Sequence, residues 1–160
     1  MKNSDDIRRD QITWKWNGGA VSLSQLGDPS GGTAYAFCLY DTVALAPVLK
    51  FEIDMMGATT CGSRGCWTPL TRGVQYRDSV AATGIGKFVI KTTTAGAGRF
   101  MLKAGGVHFT MPALATSAQL FAQDDAVTLQ LVNTEGACWT ARFSSPATSN
   151  TVALFSDKSD

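Results

Sequence analysis

At 160 residues, 44% of them hydrophobic, the chain has the length of one domain and enough apolar material to bury a core. Fourteen basic side chains against thirteen acidic ones leave a formal net charge of +1, and only 17% of residues are charged. No overall field draws a polyanion, so nucleic acid is not an expected partner, and no apolar run is long enough to insert in a bilayer.

Residues 1–10 carry Asp5, Asp6, Arg8, Arg9 and Asp10 without an apolar stretch, which predicts a flexible amino-terminal segment containing neither export signal nor anchor. If the protein is exported, its signal is expected to have been removed or to lie upstream. Ile12 to Trp16 and Ala34 to Tyr40 read as extended. From Leu49 the alternation becomes strict: Leu49, Phe51 and Ile53 face one way and Lys50, Glu52 and Asp54 the other. Met55 to Cys66 is the longest irregular piece. Val74 to Arg77 is extended again, and Lys87 to Lys91 and Arg99 to Lys103 place Phe88, Ile90, Phe100 and Leu102 inward, joined by a turn at Ala95-Gly96-Ala97-Gly98. His108 to Met111 is a further short strand. Val127, Leu129 and Leu131 alternate with Thr128 and Gln130, as do Trp139, Ala141 and Phe143 with Cys138, Thr140 and Arg142, about a hairpin at Asn133 to Gly136. Thr151 to Phe155 completes the series.

Sixteen glycines suit tight turns, whereas no window shows helical spacing and the chain holds only two glutamates, Glu52 and Glu135. The expected fold is all-β: a two-sheet antiparallel β-sandwich, jelly-roll or immunoglobulin-like, of about ten short strands. It spans 11–156 as one domain, and 157–160 frays. The glycine-rich pieces, Gly84-Ile85-Gly86-Lys87 among them, precede no helix and lack the phosphate-loop signature, so they are turns.

Four cysteines allow three pairings. Cys61 and Cys66 flank Gly62-Ser63-Arg64-Gly65, a loop able to fold back and join them. Cys38 and Cys138 lie in separate strands; a bond between them would close a loop of about a hundred residues and stabilise by roughly 4 to 5 kcal/mol in the chain-entropy model. A four-thiolate zinc site and four reduced thiols are the competing readings.

The sole histidine, His108, alternates onto the wetter face, where it is a surface residue or a lone general base. No Gly-x-Ser-x-Gly elbow supplies a serine for it. Asp41, Glu52, Asp54 and Asp78 lie near strand ends; two brought close could work as acid and base, though solvated carboxylates and turn initiators look the same in sequence. Calcium at Gln123-Asp124-Asp125 would lack the spaced oxygen ligands of a calcium loop. Trp14 and Trp16 share one strand face, and Trp67 and Trp139 each follow a cysteine. Exposed, these rings could stack on sugars; buried, they would pack in the core against disulfides.

The run Trp14-Lys15-Trp16, Gly27-Asp28-Pro29, Cys38-Leu39-Tyr40-Asp41, Cys61-Gly62 through Cys66-Trp67 and Cys138-Trp139 resembles an uncharacterised, cysteine-containing, β-rich C-terminal region of large exported proteins of soil bacteria. The resemblance covers nearly the whole chain. It implies an extracellular or periplasmic location and disulfides, and it brings no activity or catalytic residues with it. The functional expectation is an extracytoplasmic, non-catalytic binding or scaffolding module for a glycan or cell-surface component, without a resident cofactor. The alternatives are a small hydrolase of phosphoesters, esters or glycosides using carboxylates with or without a metal, and an adhesion domain pairing through a sheet edge.

Overall fold

A computed structural model describes residues 1–78 and 82–160. Among the described residues thirteen strands follow one another: β1 (Gln11–Ala20), β2 (Tyr35–Val43), β3 (Ala46–Met55), β4 (Thr60–Cys61), β5 (Arg64–Gly65), β6 (Trp67–Leu70), β7 (Gly73–Tyr76), β8 (Ile85–Thr92), β9 (Ala97–Gly105), β10 (Ala126–Asn133), β11 (Cys138–Ser144), β12 (Ser149–Asn150) and β13 (Phe155–Ser156). Two 3-10 turns, Ile7–Arg9 and Ser24–Leu26, are the only helical pieces among the described residues.

Nine strands form two antiparallel sheets, one in the order β1-β9-β8-β7-β6 and the other β11-β10-β2-β3. Period-two alternation decides which side chains meet between them. The first sheet turns Ile12 and Trp14, Phe100 and Leu102, Phe88 and Ile90 inward, and the second turns Tyr35, Phe37 and Leu39, Val127, Leu129 and Leu131 inward; all are buried in one continuous core. Aromatic rings cross the gap: Trp14 meets Phe37 edge-on at 5.4 Å, Tyr35 meets Phe88 at 5.7 Å, and Phe100 meets Trp139 at 5.0 Å. The expected β-sandwich is the fold observed.

The strand at Leu49 departs from strict alternation. A bulge between the Leu39–Phe51 and Tyr40–Leu49 pairs leaves Lys50 without an opposite residue, so Leu49 is exposed and Lys50 is tucked toward Asp41, its ammonium 3.9 Å from the carboxylate. The β2–β3 hairpin turns on Ala44 and Leu45 with φ of 50° and 62°, the doubly left-handed pair that a two-residue hairpin demands. The backbone N–H of Ala44 donates to Asp124 across the turn.

Residues 106–125 form the longest irregular stretch among the described residues, not Met55 to Cys66, and the strand expected at His108 to Met111 is absent. Phe109 instead docks edge-on against Phe51 at 5.5 Å, while Leu120 and Phe121 plunge into the core, Phe121 against Phe155 at 4.9 Å. Thr151 to Phe155 is likewise a turn, entering a strand only at Phe155. The ends, expected to be flexible, make defined contacts: Lys2 bridges both Gln11 and Leu154, the Asp10 carboxylate accepts the Ser4 N–H at 2.7 Å, and the Asp160 N–H donates to the Arg142 carbonyl at 3.0 Å.

Asp41 continues the inward row Tyr35, Phe37, Leu39 and is fully buried. Its two oxygens accept the backbone N–H groups of Ala122 at 2.7 Å and Gln123 at 2.8 Å, which pins the end of the long loop to β2. Replacing Asp41 with Ala strands both donors and Lys50, and urea unfolding should show a loss of about 3 kcal/mol. Asp54→Ala, on the exposed face of β3, should stay within about 0.5 kcal/mol of the parent protein.

Candidate functional site

The four tryptophans do not form a plateau. Trp14, Trp67 and Trp139 are buried, and Trp16 is half-buried, stacked on Phe100 with ring centroids 4.8 Å apart. The reading of these rings as a glycan-stacking patch is therefore corrected: the alternation that puts Trp14 and Trp16 on one face of β1 puts them on the inner face. Gly98 is needed for this packing, because a Cβ there would lie 2.5 Å from the Trp16 ring and 2.6 Å from Val21. Trp67 packs against Tyr76 and Tyr35 and donates its Nε1–H to the Met56 carbonyl at 2.8 Å. Trp14 differs, since its buried Nε1 has no hydrogen-bond partner among the described residues.

The candidate catalytic groups are dispersed over the molecule. Asp41 is committed to the loop. Asp78, also buried, accepts from the Thr83 N–H at 2.8 Å and hydroxyl at 3.0 Å. Glu52 and Asp54 stand on the outer face of the edge strand β3, opposite Cys38 and Ala36, and His108 is exposed in the turn after β9. Asp124 and Asp125 are engaged with Ala44 and Arg142, not arranged as a calcium loop. Among the described residues no group of three or more His, Cys, Asp or Glu is placed to hold a metal ion.

Cys61 and Cys66 are joined, their Cα atoms 5.0 Å apart across the β4–β5 hairpin, as the loop suggested. That bond removes the four-thiolate zinc site. The second disulfide is also overturned: Cys38 is buried and free, Cys138 exposed and free. The reason is register. Cys38 lies opposite Gln130 and Cys138 opposite Val132, so the whole of β10 stands between them. Two strand spacings are about 9 to 10 Å, beyond the roughly 7 Å that a disulfide bridges. Burial, followed by the neighbouring Glu52 carboxylate, pushes the Cys38 thiol up.

A cleft of about 390 Å³ opens where the free edge of β1 faces β10 and β11. Leu39, Val127 and Leu129 form its floor, Trp14 and Phe143 stand on opposite walls, and residues 156–159 close one side. Lys15 and Lys158 reach it from the rim. An apolar floor with a polar rim, roughly the size of a small-ligand site, suits a compact amphipathic ligand. The Trp14 indole N–H is an unused donor on a residue that lines the cleft, shielded from solvent in this structure. Neither Leu39 nor Phe143 carries a sequence signal for such a role, because the cleft exists only where edges distant in the chain meet.

Comparison with family models, with curated proteins and with solved structures returns no match.

A thiol-reactive dye should label one cysteine in the native protein at neutral pH, two in denaturant and four after reduction, following the exposed, buried and bonded cysteines in turn. Because the Cys38 thiol is pushed up and the thiolate is the reactive form, its labelling should set in at a higher pH than that of an ordinary thiol. Failure to label any cysteine in denaturant would show that Cys38 and Cys138 are bonded after all.

Proposed function

We propose that this domain is an extracytoplasmic, non-catalytic binding module that takes a glycan unit or similar cell-surface component in the cleft beside β1. The observation that carries the reading is the open cleft lined by Trp14, whose buried Nε1 is left without a partner among the described residues. An unsatisfied buried donor costs about 1 to 3 kcal/mol, and a ligand oxygen that entered deeply enough to accept from it would recover that cost. A sugar ring suits the rest of the site, with C–H groups for the Leu39 and Leu129 floor and hydroxyls for the Lys15, Asn17 and Lys158 rim.

The Cys61–Cys66 disulfide supports an oxidising compartment, and the resemblance to C-terminal regions of exported bacterial proteins supports the same location. No helix of the described residues is long and apolar enough to cross a membrane.

Titration with a panel of neutral and acidic oligosaccharides, followed by tryptophan fluorescence, should give a saturable change for at least one member. Trp14→Phe keeps an apolar ring and removes the donor, and should weaken that binding about tenfold while circular dichroism stays unchanged. Silence across the whole panel, or equal affinity for the Trp14→Phe variant, would sink the reading.

A further inference from the structure

Outward positions of the five-stranded sheet form an ordered grid. Across β1, β9 and β8, one row reads Thr13, Lys103, Lys87, the next Lys15, Met101, Val89, and the third Asn17, Arg99, Lys91. Gln75 and Thr68 of β7 and β6 extend the middle row. Five of the chain's fourteen cations thus share one face whose outward strand positions hold no carboxylate. None of the five makes an ion pair among the described residues, unlike Arg8, Lys50 and Arg142.

The register also sets like charges directly opposite, Lys103 against Lys87 and Arg99 against Lys91. Such pairs destabilise a sheet, so the fold does not account for them. The near-zero net charge hides this face because the acidic residues Glu52 and Asp54 lie on the outer face of the other sheet.

We propose that this face binds an extended anionic polysaccharide, its carboxylate or sulfate groups seated between the opposed cation pairs. The two pairs stand four residues apart along β9, about 13 Å, too far to converge on one small anion and suited to successive acid groups of a chain. A shallow depression of about 360 Å³, lined by Lys15, Lys87, Lys91, Arg99 and Met101, lies between them. Single-stranded nucleic acid fits less well, because the outward positions offer no aromatic ring for base stacking. An anionic membrane fits less well because Met101 and Val89 are half-buried and Leu70 is the one exposed large apolar side chain lining the depression, too little for an apolar wedge. The site is separate from the cleft except along β1, where Lys15 and Asn17 border both.

The test is binding of the full chain to heparin and to polygalacturonate at increasing salt, compared with a Lys103→Gln, Arg99→Gln double variant. Each substitution removes one member of an opposed pair. The parent should bind at least one polymer with affinity falling steeply as salt rises, and the variant should bind at least about tenfold more weakly. Relief of the repulsion should meanwhile raise the variant's melting temperature by about 1 to 3 °C, so that lost binding cannot reflect lost folding. An Arg64→Gln variant, in the separate β4–β5 hairpin, should bind like the parent. The inference is overturned if neither polymer binds at low salt, if the double variant binds unchanged or melts lower, or if single-stranded DNA or phosphatidylserine vesicles bind more tightly than either polysaccharide. Because Trp14 is untouched, the fluorescence response of the cleft should be the same in parent and variant, which separates this outcome from that of the cleft reading.

Discussion

The molecule depends on aromatic rings locking two inner sheet faces together. Trp14 on Phe37, Tyr35 on Phe88 and Phe100 on Trp139 draw each sheet's apolar row against the other's. Once the inner faces are committed in this way, the period of two leaves no choice about the remainder. Lys15 must point out because Trp14 and Trp16 point in, and Lys87, Lys91, Arg99 and Lys103 must point out because Phe88, Ile90, Phe100 and Leu102 are needed inside. The same alternation that takes the tryptophans away from any exposed stacking surface gathers the cations on one.

A polar group on an inner row is then conspicuous, and Asp41 is that group. It stands where another apolar residue would extend Tyr35, Phe37 and Leu39, and its burial is balanced by two backbone donors and a nearby ammonium. It shares the task of holding the irregular segment 106–125 with Phe109, Leu120 and Phe121 in the core and with the Asn150 amide, which bonds both the N–H and the carbonyl of Phe121. A carboxylate of this kind looks like a catalytic candidate in sequence and is a structural pin in space.

Regular alternation was the legible part. Strands β8, β9, β10 and β11 stand where the pattern of apolar residues put them, and with them the two-sheet architecture, although the β8–β9 turn falls at 93–96, two residues before the expected Ala95-Gly96-Ala97-Gly98. Other features escaped because their cause is not local. The Ala44–Leu45 turn uses residues with no preference for positive φ, held there by Asp124 from 80 residues away. The 108–111 and 151–155 segments have strand-like composition, yet their apolar residues are claimed by the core one at a time. The Cys38 and Cys138 pairing failed for a related reason: sequence shows that both sit in strands, but not that a third strand runs between them. The candidate sites were the least readable, since the cleft and the cation grid are products of register and strand order, and net charge averages over both sheets.

Pro47 sits in β3 and Pro69 in β6, each an edge of its sheet, and neither can donate to an incoming backbone. In β3 the bulge adds an inward-turned lysine, a further obstacle to templated growth on that side. The ladder of β1 is interrupted by no proline and carries the wall of the cleft. Self-association by backbone pairing is therefore left to the other two edges, β1 and β11, and because both border the cleft, through Trp14 and Phe143, a ligand seated there would stand in the way of polymerisation on either.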